Sequence, residues 1–132
     1  MNTEDINLAP VVAEVWAAFE RYEAALLAND VAVLNDFFWP SEHTVRYGLQ
    51  EHGHGIDRIC WQRDRLVPVH RERRLESVLV STFGRDCAAV CAEFTAPDIS
   101  GLGRQTQTWV RFAAGWKIVA AHVSAVDAGV LR

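Results

Sequence analysis

The stretch from Gly103 to Ser124, GRQTQTWVRFAAGWKIVAAHVS, narrows the possible folds more than any other part of the chain. From Arg104 to Phe112 the residues alternate, with Gln105, Gln107, Trp109 and Arg111 on one side and Thr106, Thr108, Val110 and Phe112 on the other. Successive strand side chains take opposite faces, so this pattern predicts a sheet with two different environments. Ala113-Ala114-Gly115 supplies a turn in which Gly115 is free to take a positive φ. Trp116 to Val126 predicts the second strand, and strict alternation puts Ile118, Ala120, His122 and Ser124 on one face. Val119, Ala121, Val123 and Ala125 form the other, wholly apolar face and are expected in the core, which leaves the face carrying His122 as the expected pocket wall.

The rest of the chain supplies partners for this hairpin. A helix is predicted from about Pro10 to Ala28, with Val12, Val15 or Trp16, Phe19, Tyr22 and Leu26 as its apolar stripe. Asn29-Asp30 ends it and caps a second helix, Val31 to about Phe38. Thr44 to Tyr47 reads as a short strand paired with Gln50 to His54, followed by a third helix from Ile56 to about Leu66. Two further strands, Arg74 to Phe83 and Cys87 to Thr95, precede a loop from Ala96 to Gly101. Helices gathered in the first half and strands in the second predict a single α+β domain, residues 1–132, whose curved sheet wraps the first long helix and leaves a cavity between them.

Composition excludes several functions. A formal charge of −4 disfavours nucleic acid, which needs a basic surface. No apolar run approaches the roughly 20 residues of a membrane span, and the polar, acidic N-terminus is unlike a signal peptide. Of the 13 basic residues only Lys117 is lysine, and the arginine fork is the better carboxylate holder. Cys87 and Cys91, four apart in one strand, are roughly 13 Å apart at 3.3 Å per residue, too far to bridge. With Cys60 they are expected to be small buried hydrophobes in a reducing, cytoplasmic compartment.

Tyr22 lies on the helix stripe that faces the sheet, so its hydroxyl needs a partner, either a core carbonyl or a ligand. Arg46 alternates with Val45 and Tyr47; it faces solvent in an ion pair or points inward, where a guanidinium must be paired by a carboxylate or an anionic ligand. A Tyr and an Arg on one cavity suit a small anionic substrate with a polarised carbonyl. Gln105, Gln107, Trp109 and His122 are the candidate binding residues on the hairpin, although a hydrogen-bonded core histidine is the commoner outcome. No triad spacing supports a Ser–His–Asp nucleophile. His43, His52 and His54 offer only a weak metal set, so no metal and no cofactor is expected. The run His70 to Arg74 reads as a solvated loop face that could steer anions to the cavity mouth.

The helix-first order and the phrases TVRYG (Thr44–Gly48), GID (Gly55–Asp57), GRQTQTWVR (Gly103–Arg111) and GWKIVAAHVS (Gly115–Ser124) resemble the SnoaL-like branch of the NTF2-like superfamily. Within it the chain is similar to the AtzH/HpxZ-type proteins of cyanuric acid and oxalurate breakdown. The resemblance implies an NTF2-like cone, a strongly curved, mostly antiparallel sheet around N-terminal helices, and a homodimer formed through the outer sheet face. It also implies work beside an amidase of the same pathway, and an amidohydrolase-type activity converting 1,3-dicarboxyurea to allophanate. Tyr22 in RYE and Arg46 in TVRYG match the family pattern as the catalytic pair. The alternative is a non-catalytic module that holds a small anion or serves the amidase as an accessory subunit. An isomerase or dehydratase of a lipophilic substrate is the less favoured third reading.

Overall fold

The computed structural model describes residues 1–131. Helix α1 (Ala9–Ala28) starts with Pro10 in its first turn and stops where Asn29 turns left-handed at φ 51°, its N–H donating back to the carbonyls of Ala25 and Leu26. Its buried stripe is Val11, Val15, Ala18, Phe19, Tyr22, Glu23, Ala25 and Leu26; Val11, not Val12, opens it. Asp30 caps α2 (Val31–Asp36), accepting the Val33 N–H at 3.2 Å. Two residues shorter than expected, α2 releases Phe38 to bridge Ile118. Strands β1 (Val45–Tyr47) and β2 (His52–His54) form a short hairpin, and α3 (Ile56–Arg63) follows.

Four long strands complete the chain: β3 (Arg74–Phe83), β4 (Cys87–Thr95), β5 (Leu102–Phe112) and β6 (Gly115–Val126). The sheet runs β2-β1-β6-β5-β4-β3, antiparallel throughout except for the parallel contact of β1 with β6. Gly115 takes the positive φ its turn requires, at 116°. This is the expected α+β architecture, with α1 laid across the concave face. The core beneath it is built from Val15, Phe19, Leu34, Phe38, Ile59, Val90, Trp109 and Ile118.

One irregularity redirects the strand that the sequence pattern stressed. Between the pairs Thr108–Ala120 and Trp109–Ile118 the register shifts by one residue, leaving Val119 as a β-bulge in β6. Each side of a bulge keeps its alternation, but the two sides are out of phase. Trp116 and Ile118 therefore face inward before the bulge, and Ala121 and Val123 face inward after it. Beyond Val119 the apolar face carrying Ala121 and Val123 does face inward as expected, but Val119 is taken up by the bulge, and His122, expected in the pocket wall, is turned to the outer face.

The expectation of three buried cysteines is corrected. Cys91 is exposed on the outer sheet face, while Cys60 and Cys87 are half-buried, and all three are free thiols. Burial, then the nearby Asp64 and Asp57, push the Cys60 thiol up despite Arg63, which makes it a poor nucleophile. No helix among the described residues is long and apolar enough to cross a membrane.

Candidate active site in the cone

A cavity of about 440 Å³ opens between α1, α3, the segment following α3 and the concave sheet face. Its polar lining includes Tyr22, Arg46, Glu51, Arg63, Arg73, Gln105 and Gln107. Four of these are residues that the sequence singles out. Tyr22 is brought there by the stripe of α1, Arg46 by β1, and Gln105 and Gln107 by the inward positions of β5. The aromatic part of Tyr22 is held edge-on by Phe37, Phe38 and Trp109 at centroid distances of 5.8, 6.2 and 6.4 Å. Such packing leaves the ring little freedom and aims its hydroxyl at the open part of the cone.

The hydroxyl meets a residue that the sequence reading missed. Arg63, at the last turn of α3 and only 7% exposed, donates from Nη2 to Tyr22 Oη at 3.2 Å. Among the described residues no carboxylate lies within ion-pair distance of it. Burial holds the Arg63 guanidinium below its ordinary range and Arg46 pushes the same way, while Tyr22 and Glu51 oppose them. The sequence did carry a signal: Arg63 stands four residues after the buried Ile59, on the inward face of α3.

The other two deep guanidiniums are paired. Arg46 Nη1 donates to Glu51 Oε1 at 3.2 Å, with both side chains mostly buried, at 11% and 15% exposed. Arg46 thus points inward rather than to solvent, paired by a carboxylate and lining the cavity. Arg73, expected in a solvated face, has its side chain buried and grips Glu23 of α1 with two nitrogens. Gln105 joins them, its amide N–H₂ donating to Glu23 and its oxygen accepting from Arg73. Arg73 also lies over the Phe94 ring, 4.4 Å from its centroid. Pairing between α1 and the start of β3 carried no local sequence signal, because 50 residues separate Glu23 from Arg73.

Two of the expected binding residues lie outside the cavity. Trp109 is wholly buried behind the cavity wall, where its indole N–H donates to Gln107 Oε1 at 3.0 Å. That bond commits the Gln107 oxygen and leaves its amide N–H₂ for the cavity. His122 is exposed on the outer face, edge-on to Tyr47 at 5.7 Å, because of the Val119 bulge. His52 and His54 lie with it around Tyr47, and Tyr47 Oη bonds His54 Nε2 at 3.1 Å.

A helix-wrapping, bulged antiparallel sheet with its cavity at the open end defines an NTF2-like cone. Solved structures place the chain more narrowly. It is similar to a protein of unknown function of the DUF3225 family from Pectobacterium atrosepticum, at 46% identity and a TM-score of 0.92, over 96% of this chain and 99% of that one. A cystatin-like fold protein from Burkholderia xenovorans is 48% identical with a TM-score of 0.90, over 92% and 96% of the two chains. A putative ketosteroid isomerase from Parabacteroides distasonis shares the fold at 16% identity, with a TM-score of 0.67 over 82% and 85%. No protein with a curated description matches the sequence. The sequence profile of the AtzH-like family matches residues 4–129, and the chain belongs to that family.

Proposed function

We propose that this protein converts 1,3-dicarboxyurea to allophanate by removing one N-carboxylate. The observation that carries the reading is the unpaired, buried Arg63 guanidinium beside Tyr22 and Arg46. An uncompensated buried cation is costly, and an anionic ligand is the partner that relieves the cost. Membership of the AtzH-like family supports the same substrate class.

The residues divide the work as follows. The guanidiniums bind the carboxylates of the substrate, and the free Gln107 amide N–H₂ donates to its central carbonyl or to a carboxylate oxygen. The bond between one urea nitrogen and its carboxylate carbon breaks heterolytically. The electron pair stays on nitrogen and the carboxylate departs as carbon dioxide. Tyr22 donates its hydroxyl proton to that nitrogen, and a water proton restores the phenol, so the sum consumes one proton per allophanate. Because Arg63 donates to the Tyr22 oxygen, the hydroxyl hydrogen is free for the substrate, and the cation stabilises the charge left on that oxygen.

The test is allophanate formation from freshly generated 1,3-dicarboxyurea over many turnovers, above the spontaneous loss of carbon dioxide. Tyr22→Phe keeps the ring packing and is expected to lower the enzymatic rate by about 100- to 10,000-fold. Wild-type turnover in that variant removes Tyr22 from the chemistry. Binding without any acceleration by the wild-type protein moves the assignment to an anion-holding accessory module.

A further inference from the structure

The charges around the cavity do not balance for a dianion at rest. Apart from the exposed Arg65 and Asp98, which also line it, three deep guanidiniums face or flank the cavity, and two carboxylates of the protein are already spent on them, Glu23 on Arg73 and Glu51 on Arg46. One cation, Arg63, is left over. Of the two protein carboxylates, Glu23 is locked behind the wall by Arg73 and Gln105 and does not line the cavity. Glu51 does line it, and it is tethered lightly: Oε1 accepts from Arg46, and Oε2 accepts the Gln50 N–H at 2.9 Å at the tip of the β1–β2 hairpin.

We propose that Glu51 is the specificity-determining residue of the cavity, a built-in carboxylate filling one of two anion positions. A ligand with one carboxylate then binds on Arg63 alone, and a second carboxylate binds only by displacing Glu51 from Arg46. The ion pair is suited to exchange, because Glu51 stands at a hairpin tip while Arg46 lies on a strand paired on both sides. Gly48 is part of the device: a Cβ there would lie 2.2 Å from Glu51 Oε1 and 2.9 Å from Arg46 Nη1, so only glycine lets the pair close across the turn.

This deepens the decarboxylation reading and rests on it for its consequence in turnover. The retained carboxylate sits on Arg63, and the departing one sits on Arg46. As the departing group loses its charge and becomes carbon dioxide, Arg46 loses its partner and Glu51 returns to it. The site thereby falls back to its one-anion state around the monoanionic product. Re-pairing favours the bond-breaking direction and leaves the product held by a single ion contact.

The test needs no turnover. Glutarate has the same five-atom carboxylate-to-carboxylate chain as 1,3-dicarboxyurea, and glutaramate replaces one carboxylate by an amide. Their dissociation constants are measured by calorimetry on the full chain at neutral pH and low salt. In the wild-type protein glutarate is expected to bind less than about threefold more tightly than glutaramate. Glu51→Gln is expected to tighten glutarate by about tenfold or more while glutaramate changes by no more than about threefold. Gly48→Ala, which pushes the carboxylate aside without altering charge, is expected to raise the same ratio. An unchanged ratio in Glu51→Gln, with glutarate still bound, overturns the exchange and leaves the decarboxylation reading standing. Failure of both ligands to bind either protein overturns the exchange together with the anion-site reading beneath it.

Discussion

The same two strands, β5 and β6, run through two very different halves of the cone. Around Trp109, Ile118, Phe19 and Phe38 the space between helix and sheet is filled by fully or almost fully buried rings and aliphatic chains. A few residues further along, at Gln107, Gln105, Ala121 and Val123, the same strands face an open cavity ringed by arginines. The closed half stabilises the fold through apolar burial, of which each large side chain contributes roughly 1.5–3 kcal/mol. The open half gives up that contribution and keeps a buried charge in exchange for a place where an anion can sit. Tyr22 stands on the boundary, with its ring in the closed half and its hydroxyl in the open one.

The β-bulge at Val119 marks the division. Before it, β6 presents the large Trp116 and Ile118 to the interior; after it, only Ala121 and Val123. Small side chains in the second part leave room for the cavity, and the inversion of phase sends His122 outside.

This contrast can be broken at several points. The largest expected effect lies in the closed half: Trp109→Ala removes a fully buried ring and the bond that orients Gln107, and should cost about 3–5 kcal/mol in chemical denaturation. At the other extreme, His122→Ala on the outer face is expected to stay within about 0.5 kcal/mol of wild type and to leave turnover unchanged. A marked loss of turnover in His122→Ala would return that histidine to the site and contradict its outward placement.

The sequence made the closed half and the element order readable, because both rest on periodicity. The helix stripe through Phe19, Tyr22 and Leu26 and the alternation of Gln105, Gln107 and Trp109 appear in the structure as the pattern implies. The open half was readable only in part. Tyr22, Arg46, Gln105 and Gln107 sit on regular faces and were found. Arg63 was missed because a charged residue at a helix end is ordinarily solvated, and Arg73 because its partner Glu23 lies 50 residues away. The displaced His122 shows the limit of strict alternation, since one extra residue in a strand changes no composition and no local motif yet reverses every side chain beyond it.

The central claim is that the cavity keeps an unpaired guanidinium for its ligand at a cost to stability. Arg63→Met tests it most directly, with thermal unfolding and allophanate formation measured on the same preparation. Met keeps the length and apolar packing of the side chain while removing the buried charge. The account predicts an unfolding midpoint equal to or above that of wild type, because an unpaired buried cation is gone, together with a rate that falls at least about 100-fold. A variant that unfolds at a lower temperature yet turns over normally would contradict it, and Arg63 would then be a structural residue of α3.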